Sequence, residues 1–275
     1  MTSRAAVLGS PITHSLSPVL HRAAYAAMGL DGWSYDAFEC GEDGLAGFLD
    51  GLGPEWAGLS LTMPLKRVAL KLADTVTDLA AGVGGANTLV LRDGRRHADN
   101  TDVHGIVAAL TEAGVAAPAS ALVLGGGATA ASALAALARM GLTGATLAVR
   151  SPERAAGTAA VGERFGLAVR VETLDRVPEL PPSALVVNTL PGAAADAFAE
   201  PVAASGAALF DVVYAPWPTP LAEAATAAGA TVVGGFAMLL HQAVRQVTLM
   251  TGRDDVPVAA MRAAGEAELA RRAGG

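Results

Sequence analysis

Cysteine occurs once in the 275 residues, as Cys40. A single thiol excludes an intrachain disulfide and a cysteine-based zinc site, and it suits a chain working in a reducing cytoplasm. Lysine is nearly as scarce: Lys66 and Lys71 stand against 17 arginines. Aromatic residues make up 4%, although hydrophobic residues reach 52%, much of it alanine. That balance predicts helices packed closely through small side chains, with polar groups concentrated in sites and on surfaces. There is no Lys/Arg block and the net charge is −7, which argues against a nucleic-acid partner. No apolar run reaches the ~18 residues of a membrane span, and the N-terminus lacks the basic, apolar and cleavage regions of a signal peptide. A soluble, cytoplasmic chain with no membrane partner is expected, long enough for one large or two ordinary domains.

What is present concentrates first in the stretch Gly58-Leu-Ser-Leu-Thr-Met-Pro-Leu-Lys66. An apolar strand (Ala57, Leu59, Leu61) ends at Thr62, and Pro64 is expected to open a helix, since its fixed φ and missing N–H suit a first helical position. Lys66 then falls in the first helical turn, where a positive charge opposes the helix dipole. Helix stability therefore does not explain it. An ammonium can be tuned to give and take a proton as a guanidinium cannot, so Lys66 is a candidate acid–base group. Asp102, closing Asp99-Asn-Thr-Asp102, has two readings. It caps the helix expected over 103–112, or it is a carboxylate facing Lys66 at a strand end, where open α/β sheets place their ligands. Ser17 and Pro18 read as the N-cap and first residue of another helix. Capping leaves Ser15 unexplained. Two hydroxyls at i and i+2 on a loop leaving a strand suit a polyhydroxylated ligand, or ordinary turn chemistry.

Strands are expected over 5–8, 33–38, 57–61, 87–91 and 95–98, with Asp93-Gly94 a hairpin turn and helices over 45–52 and 75–81. Such alternation describes a small α/β domain. From residue 120 the pattern becomes strand, glycine-rich turn, helix and strand (120–124, Gly125–Ala130, to Met140, 145–149). That is a βαβ unit with G-x-G-x-x-A at its first turn, where a pyrophosphate approaches a helix N-terminus. After the second strand, Val149-Arg150-Ser151 supplies a cation and a hydroxyl where an NAD site usually has a carboxylate, which selects NADP. Further strands are expected over 169–174, 184–187, 208–213 and 231–233. The strand over 184–187 ends in a polar turn, Asn188-Thr-Leu-Pro-Gly192, and Tyr214 begins a stiff loop rich in proline. Gly234-Gly235 reads as a hinge. The helix over 236–250 contains Gln242, and an amphipathic helix over 258–272 is expected to pack back on the first domain.

Taken together, His14-Ser-Leu-Ser-Pro18, Gly58–Lys66, Ala86-Asn-Thr-Leu89, Asn100-Thr-Asp102, Gly125–Ala130, Asp211–Leu221 and Met238–Ala243 resemble the shikimate dehydrogenase family in type, order and spacing over almost the whole chain. The resemblance implies an α/β fold of two domains: a small discontinuous substrate domain (1–102 and 236–275) and a Rossmann-like, doubly wound NADP domain (103–235). It implies reversible NADPH-dependent reduction of 3-dehydroshikimate to shikimate, with Lys66 and Asp102 as the acid–base pair. By the same resemblance Ser15 and Ser17 bind the substrate carboxylate with Tyr214 nearby, and Ser60, Thr62, Asn87 and Gln242 line the rest of the substrate. Gly125, Gly127, Ala128 and Ala130 match the pyrophosphate turn, and Arg150 and Ser151 the 2′-phosphate clamp. Asn188, Thr189, Val212, Gly235 and Met238 fall at the remaining cofactor positions, Met238 beside the nicotinamide. No metal is implied, the partners are small molecules, and the state is a monomer or homodimer that closes its domains on the ligands.

Two departures stand out. The family's usual Asn before Thr62 is Ser60, and its usual Asn before the clamp Arg is Val149. Ser60 keeps open a paralogue acting on quinate or an amino analogue, and a non-catalytic NADP-binding relative is the alternative from another class. Arg150 carries a direct prediction. Arg150→Ala weakens NADPH much more than NADH in steady-state kinetics, and comparable kcat/KM with the two cofactors in the wild type overturns the assignment.

Overall fold

Short apolar runs ended by glycine or a polar residue become buried strands, and alanine-rich runs become the helices that cover them. The computed structural model describes residues 2–274, and the chain forms two units, Met1–Thr101 with Leu240–Gly275, and Asp102–Leu239. The first unit begins β1 (Ser3–Gly9), α1 (Ser17–Ala27), β2 (Trp33–Glu39), α2 (Leu45–Asp50), β3 (Trp56–Leu61) and α3 (Lys66–Leu72). It continues with β4 (Thr75–Val76), α4 (Asp78–Val83), β5 (Thr88–Arg92) and β6 (Arg95–Asp99). The sheet order is β2-β1-β3-β5-β6-β4. β1 runs parallel to β2 and β3, whereas β5 lies antiparallel to both β3 and β6. β5 and β6 are joined through Asp93 and Gly94, both at positive φ (54° and 70°), the backbone that a two-residue hairpin needs. Leu8, Leu45, Leu59, Leu61, Leu65 and Leu89 pack into one core beside this sheet.

The second unit contains α5 (Asp102–Glu112), β7 (Ala121–Leu124), α6 (Ala128–Arg139), β8 (Gly144–Val149), α7 (Pro152–Arg164) and β9 (Ala168–Thr173). It adds β10 (Leu185–Asn188), α8 (Ala199–Ser205), β11 (Ala208–Asp211), α9 (Pro220–Ala227) and β12 (Val232–Gly234). Its sheet, β12-β11-β10-β7-β8-β9, is parallel throughout. This is the doubly wound order, and its direction of winding reverses between β7 and β10. β7 and β10 are buried along their whole length, which is why they read as unbroken apolar runs rather than alternating ones. α10 (Gly235–Thr251) starts in this unit, and from Leu240 its residues belong to the first unit, together with α11 (Val258–Ala273). α11 packs along α1, as its amphipathic pattern suggested, and Arg272 donates to the His14 carbonyl at 2.7 Å.

Three local expectations are corrected. Ser17 does not cap α1: the N-cap is Leu16, and Ser15 Oγ accepts the Ser17 N–H at 3.2 Å. Pro64 does not open α3, because Leu65 N–H bonds to Thr62 O at 2.8 Å and closes a turn that delays the helix to Lys66. Residues 75–81 are not one helix. Thr75 and Val76 pair with β6 as β4, and Thr77 then caps α4 by accepting from Ala80 N–H. Close approach gives Gly234 and Gly235 a packing reason of their own. A Cβ on Gly235 would lie 2.0 Å from the Val212 carbonyl oxygen, and one on Gly234 would lie 2.9 Å from the Trp217 ring. Among the described residues, no helix is long and apolar enough to cross a membrane.

One buried group gives the first unit a pH dependence. His21 is fully buried, stacked on Tyr35 (3.9 Å between ring centroids) and edge-on to Tyr25. Its Nδ1 donates to Ser17 O at 2.9 Å, and Nε2 has no hydrogen-bond partner among the described residues. Burial lowers its pKa to about 4. The unfolded chain therefore takes the proton first, near pH 6.5, and the native state loses stability as pH falls from there towards 4. The loss amounts to about 3 kcal/mol. Urea unfolding at pH 7 and pH 4.5 measures it, and His21→Phe, which cannot protonate, flattens that part of the profile. An equal pH dependence in both proteins rules this account out.

Candidate active site

The carboxyl ends of β1 and β3 and the start of antiparallel β5 lie at the same end of the first unit's sheet, together with the loop that follows β6. Thr62 N–H bonds to Leu8 O at 2.9 Å and Ser10 N–H to Met63 O at 2.9 Å, which ties the two loops leaving β1 and β3. Gly9 permits the approach, since a Cβ there would lie 2.2 Å from Thr62 Cγ2. Lys66 is the first residue of α3 and half-buried, and its carbonyl accepts the Ala86 N–H at 2.8 Å. That bond sets the lysine backbone beside Asn87. Asn100 Nδ2 donates to Gly85 O at 2.8 Å and draws the loop after β6 to the same place.

Asn87 is the centre of this polar cluster. It is 3% exposed, and its Oδ1 accepts from the Thr101 N–H at 2.8 Å and from the Thr88 hydroxyl at 2.9 Å. Its Nδ2 donates to Thr101 Oγ1 at 2.9 Å and to Gln242 Oε1 at 3.4 Å. The structure thus joins two of the sequence-predicted ligands, Asn87 and Gln242, through Thr101, which was not singled out. Ser60 has a role beyond the one expected of it. Its hydroxyl accepts from Tyr35 at 2.6 Å and donates to Gln246 Oε1 at 2.8 Å, with the residue 3% exposed. Its one donor goes to Gln246 and one acceptor position to Tyr35, so it braces the cluster. Tyr35, Thr88 and Gln246 escaped sequence reasoning. The one signal for Gln246 was its position four residues after Gln242 on the same helical face. Ser15 is half-buried and Ser17 buried on the loop entering α1, and Ser15 Oγ already takes the Ser17 N–H.

Asp102 is the first residue of α5 and 5% exposed, a buried carboxylate directly after Thr101 in the chain. By contact it groups with the second unit, as does Tyr214, half-buried on the loop after β11. The glycine-rich turn lies at the carboxyl end of β7. Gly125 has φ of 103°, and Gly127 is the N-cap of α6 with no side-chain cap. A Cβ on Gly127 would meet nothing within 4 Å, so the first N–H groups of α6, near Ala128, are open to an anion. Ala130 is fully buried, letting α6 sit close to the sheet. Arg150 follows β8, is exposed, and makes no hydrogen bond or ion pair among the described residues. Ser151 Oγ donates to Glu153 Oε2 at 3.0 Å. Glycine backbone, helix dipole and an unengaged guanidinium fit a dinucleotide carrying an additional phosphate.

Other residues assigned to the cofactor brace that turn. Asn188 Nδ2 donates to Asp211 Oδ1 at 2.9 Å, and Asn188 Oδ1 accepts from Leu190 N–H at 3.0 Å. Asp211, missed by residue-level reasoning, also accepts from Val213 N–H and from the Thr219 hydroxyl at 2.7 Å. Thr189 Oγ1 donates to Leu124 O at 2.7 Å. Val212 and Gly235 are in backbone contact, and Met238, 9% exposed, follows in the first turn of α10. Among the described residues no group of three or more His, Cys, Asp or Glu is placed to hold a metal ion.

Residues 7–89 match the family described as the shikimate dehydrogenase substrate binding domain, and residues 235–264 match the shikimate 5′-dehydrogenase C-terminal domain. A shikimate dehydrogenase (NADP(+)) of Caulobacter vibrioides is 38% identical over 278 residues, covering 94% of this chain and 95% of its own. The crystal structure of Mycobacterium tuberculosis shikimate dehydrogenase superposes with a TM-score of 0.90 at 44% identity, covering 96% of this chain and 99% of that one. The Thermus thermophilus enzyme in complex with NADP(H) and shikimate superposes with a TM-score of 0.85 at 32% identity, covering 97% and 99%. With likeness of this extent over both units, the chain belongs to the shikimate dehydrogenase family.

Proposed function

We propose that this protein catalyses the reversible NADPH-dependent reduction of 3-dehydroshikimate to shikimate in aromatic biosynthesis. The observation that carries the reading is the buried amide and hydroxyl cluster around Asn87, built against the backbone of Lys66. A polyol needs several directional partners held in place, and this end of the sheet supplies them on four different segments. The relatives' printed activity and cofactor agree with the chemistry of the residues. A cytoplasmic location and a monomeric or homodimeric state belong to the same proposal.

The nicotinamide, when bound, supplies a hydride to the C3 carbonyl carbon. Gly125, Gly127 and the N-terminus of α6 hold the pyrophosphate, and Arg150 with Ser151 holds the 2′-phosphate. Ser15, Ser17 and Tyr214 receive the substrate carboxylate. Thr62, Asn87 and Gln242 hold the ring hydroxyls, while Ser60 fixes the strand beside them. The Lys66 ammonium gives its proton to the carbonyl oxygen as negative charge develops there, and in the reverse direction its neutral amine takes the proton from the C3 hydroxyl. Asp102 is the carboxylate member of the pair.

Positioned acid–base catalysis contributes roughly 10²–10⁴-fold, and Lys66→Ala is expected to lower kcat by about that factor while leaving NADPH binding intact by fluorescence titration. An unchanged kcat removes Lys66 from the mechanism. One spectrophotometric assay separates the readings of substrate: NADPH loss with 3-dehydroshikimate, then NADP reduction with shikimate or quinate. Turnover on quinate alone, or on neither, overturns the proposal.

A further inference from the structure

The last turn of α11 carries two arginines, Arg271 and Arg272. Cations there complement the negative end of the helix dipole, which accounts for both as surface charges. It does not account for the difference between them. Arg271 donates to Glu268 through Nε at 2.8 Å and Nη2 at 2.7 Å, and so stays within its own helix. Arg272 gives Glu268 its Nε at 2.7 Å and directs the rest of its guanidinium elsewhere. Nη1 donates to His14 O at 2.7 Å, and Nη2 lies 3.5 Å from Ser15 O. Those carbonyls belong to the loop between β1 and α1, at the opposite end of the sequence.

That loop is held by opposite charges on its two halves, each matched to the backbone group it meets. The Glu39 carboxylate, at the end of β2, accepts from the Ser10 hydroxyl and the Ile12 N–H. Arg272 donates to the turn that follows. The peptide joining His14 to Ser15 is fixed on both edges: its N–H donates to Ile12 O at 3.0 Å, and its carbonyl takes Arg272. The Ser15 side chain starts from this peptide. Its Oγ accepts the Ser17 N–H at 3.2 Å, which uses a lone pair and leaves the hydroxyl proton to give to a ligand. Glu268 in turn keeps Arg272 in place. Hydrogen bonds from Arg271 and Arg272 hold its carboxyl at about 2, so it remains an ionised acceptor for the Arg272 Nε at any pH where the enzyme is assayed.

We propose that Arg272 is a positioning residue for the substrate carboxylate: from the end of α11 it fixes the His14–Ser15 peptide, and with it the direction in which Ser15 offers its hydroxyl. This rests on the proposed reading of Ser15 as a carboxylate ligand. His14 is exposed, so without Arg272 its carbonyl turns to water and the peptide is held on one edge only.

The test compares Arg272→Met and Arg271→Met with wild type in shikimate oxidation by NADP. Methionine keeps an unbranched stem and removes every donor. Expected for Arg272→Met is a KM for shikimate raised about tenfold, with kcat and the KM for NADP within about twofold of wild type. Arg271→Met loses a charge from the same turn and the same Glu268 partner but no bond to the loop, and it keeps the wild-type KM for shikimate. The methyl ester of shikimate, used as an inhibitor, offers Ser15 an uncharged acceptor and a weaker bond. Its Ki rises no more than about threefold in Arg272→Met. Arg272→Lys, which retains one charged donor, carries the test if the methionine variant does not fold, with a KM for shikimate raised about threefold. A folded Arg272 variant with wild-type KM for shikimate, an equal rise in Arg271→Met, or an equal loss for acid and ester overturns this inference alone. A wild type with no turnover on shikimate overturns the proposed function along with it.

Discussion

The N–H of Thr101 on Asn87 Oδ1 is the bond on which the polar interior of the first unit depends. A side-chain donor could be rotated and its role exchanged, but a backbone N–H cannot. Asn87 is held on its other sides as well: its N–H bonds to Asp99 O, and its carbonyl takes both the Leu61 N–H at 2.7 Å and Gln246 Nε2. One residue thus ties the end of β3, the start of β5 and the loop after β6. Its neighbour Ala86 carries that rigidity to the Lys66 backbone. Burying so many polar atoms is tolerable because they are paired, and in a low-dielectric interior each correct pairing strengthens the preference for one arrangement.

The second unit is built on the opposite plan. Its candidate ligand surface consists largely of what side chains leave out: Gly127 with open space in front of it, the first turn of α6, and Gly125 in a backbone region that glycine occupies freely. The carboxylate and carboxamide nearby, Asp211 and Asn188, are spent on each other and on the turns they hold. In the proposed reading, recognition there comes from backbone dipoles and from Arg150, the kind of contact that reads phosphate charge. The first unit specifies the direction of individual protons; the second specifies the sign of a charge.

Much of this was legible because it is local. The Asp93-Gly94 hairpin, the βαβ turn at Gly125–Ala130 and the buried parallel strands each follow from residues within one element. What escaped depends on partners far along the chain. Thr75 and Val76 are a strand only because β6 lies beside them, and the crowding at Gly234 and Gly235 comes from Trp217 and Val212. Ser17 is not a cap because the helix already begins with it, and its N–H goes to the Ser15 hydroxyl. Gln246 gave no local sign beyond its spacing from Gln242, since its meaning comes from Ser60, 186 residues away.

That separation has a bearing on how the protein is made. The strands of the second unit's sheet are all present in the chain by Gly234, within one continuous segment. The first unit's strands are finished by Asp99, yet Gln242, Gln246 and α11 emerge from synthesis only after the whole second unit. Until then Ser60, Thr88 and the Asn87 carbonyl lack the amide that pairs with them. During vectorial synthesis, where domains fold as units, the segment made first is therefore the last to reach its native interior.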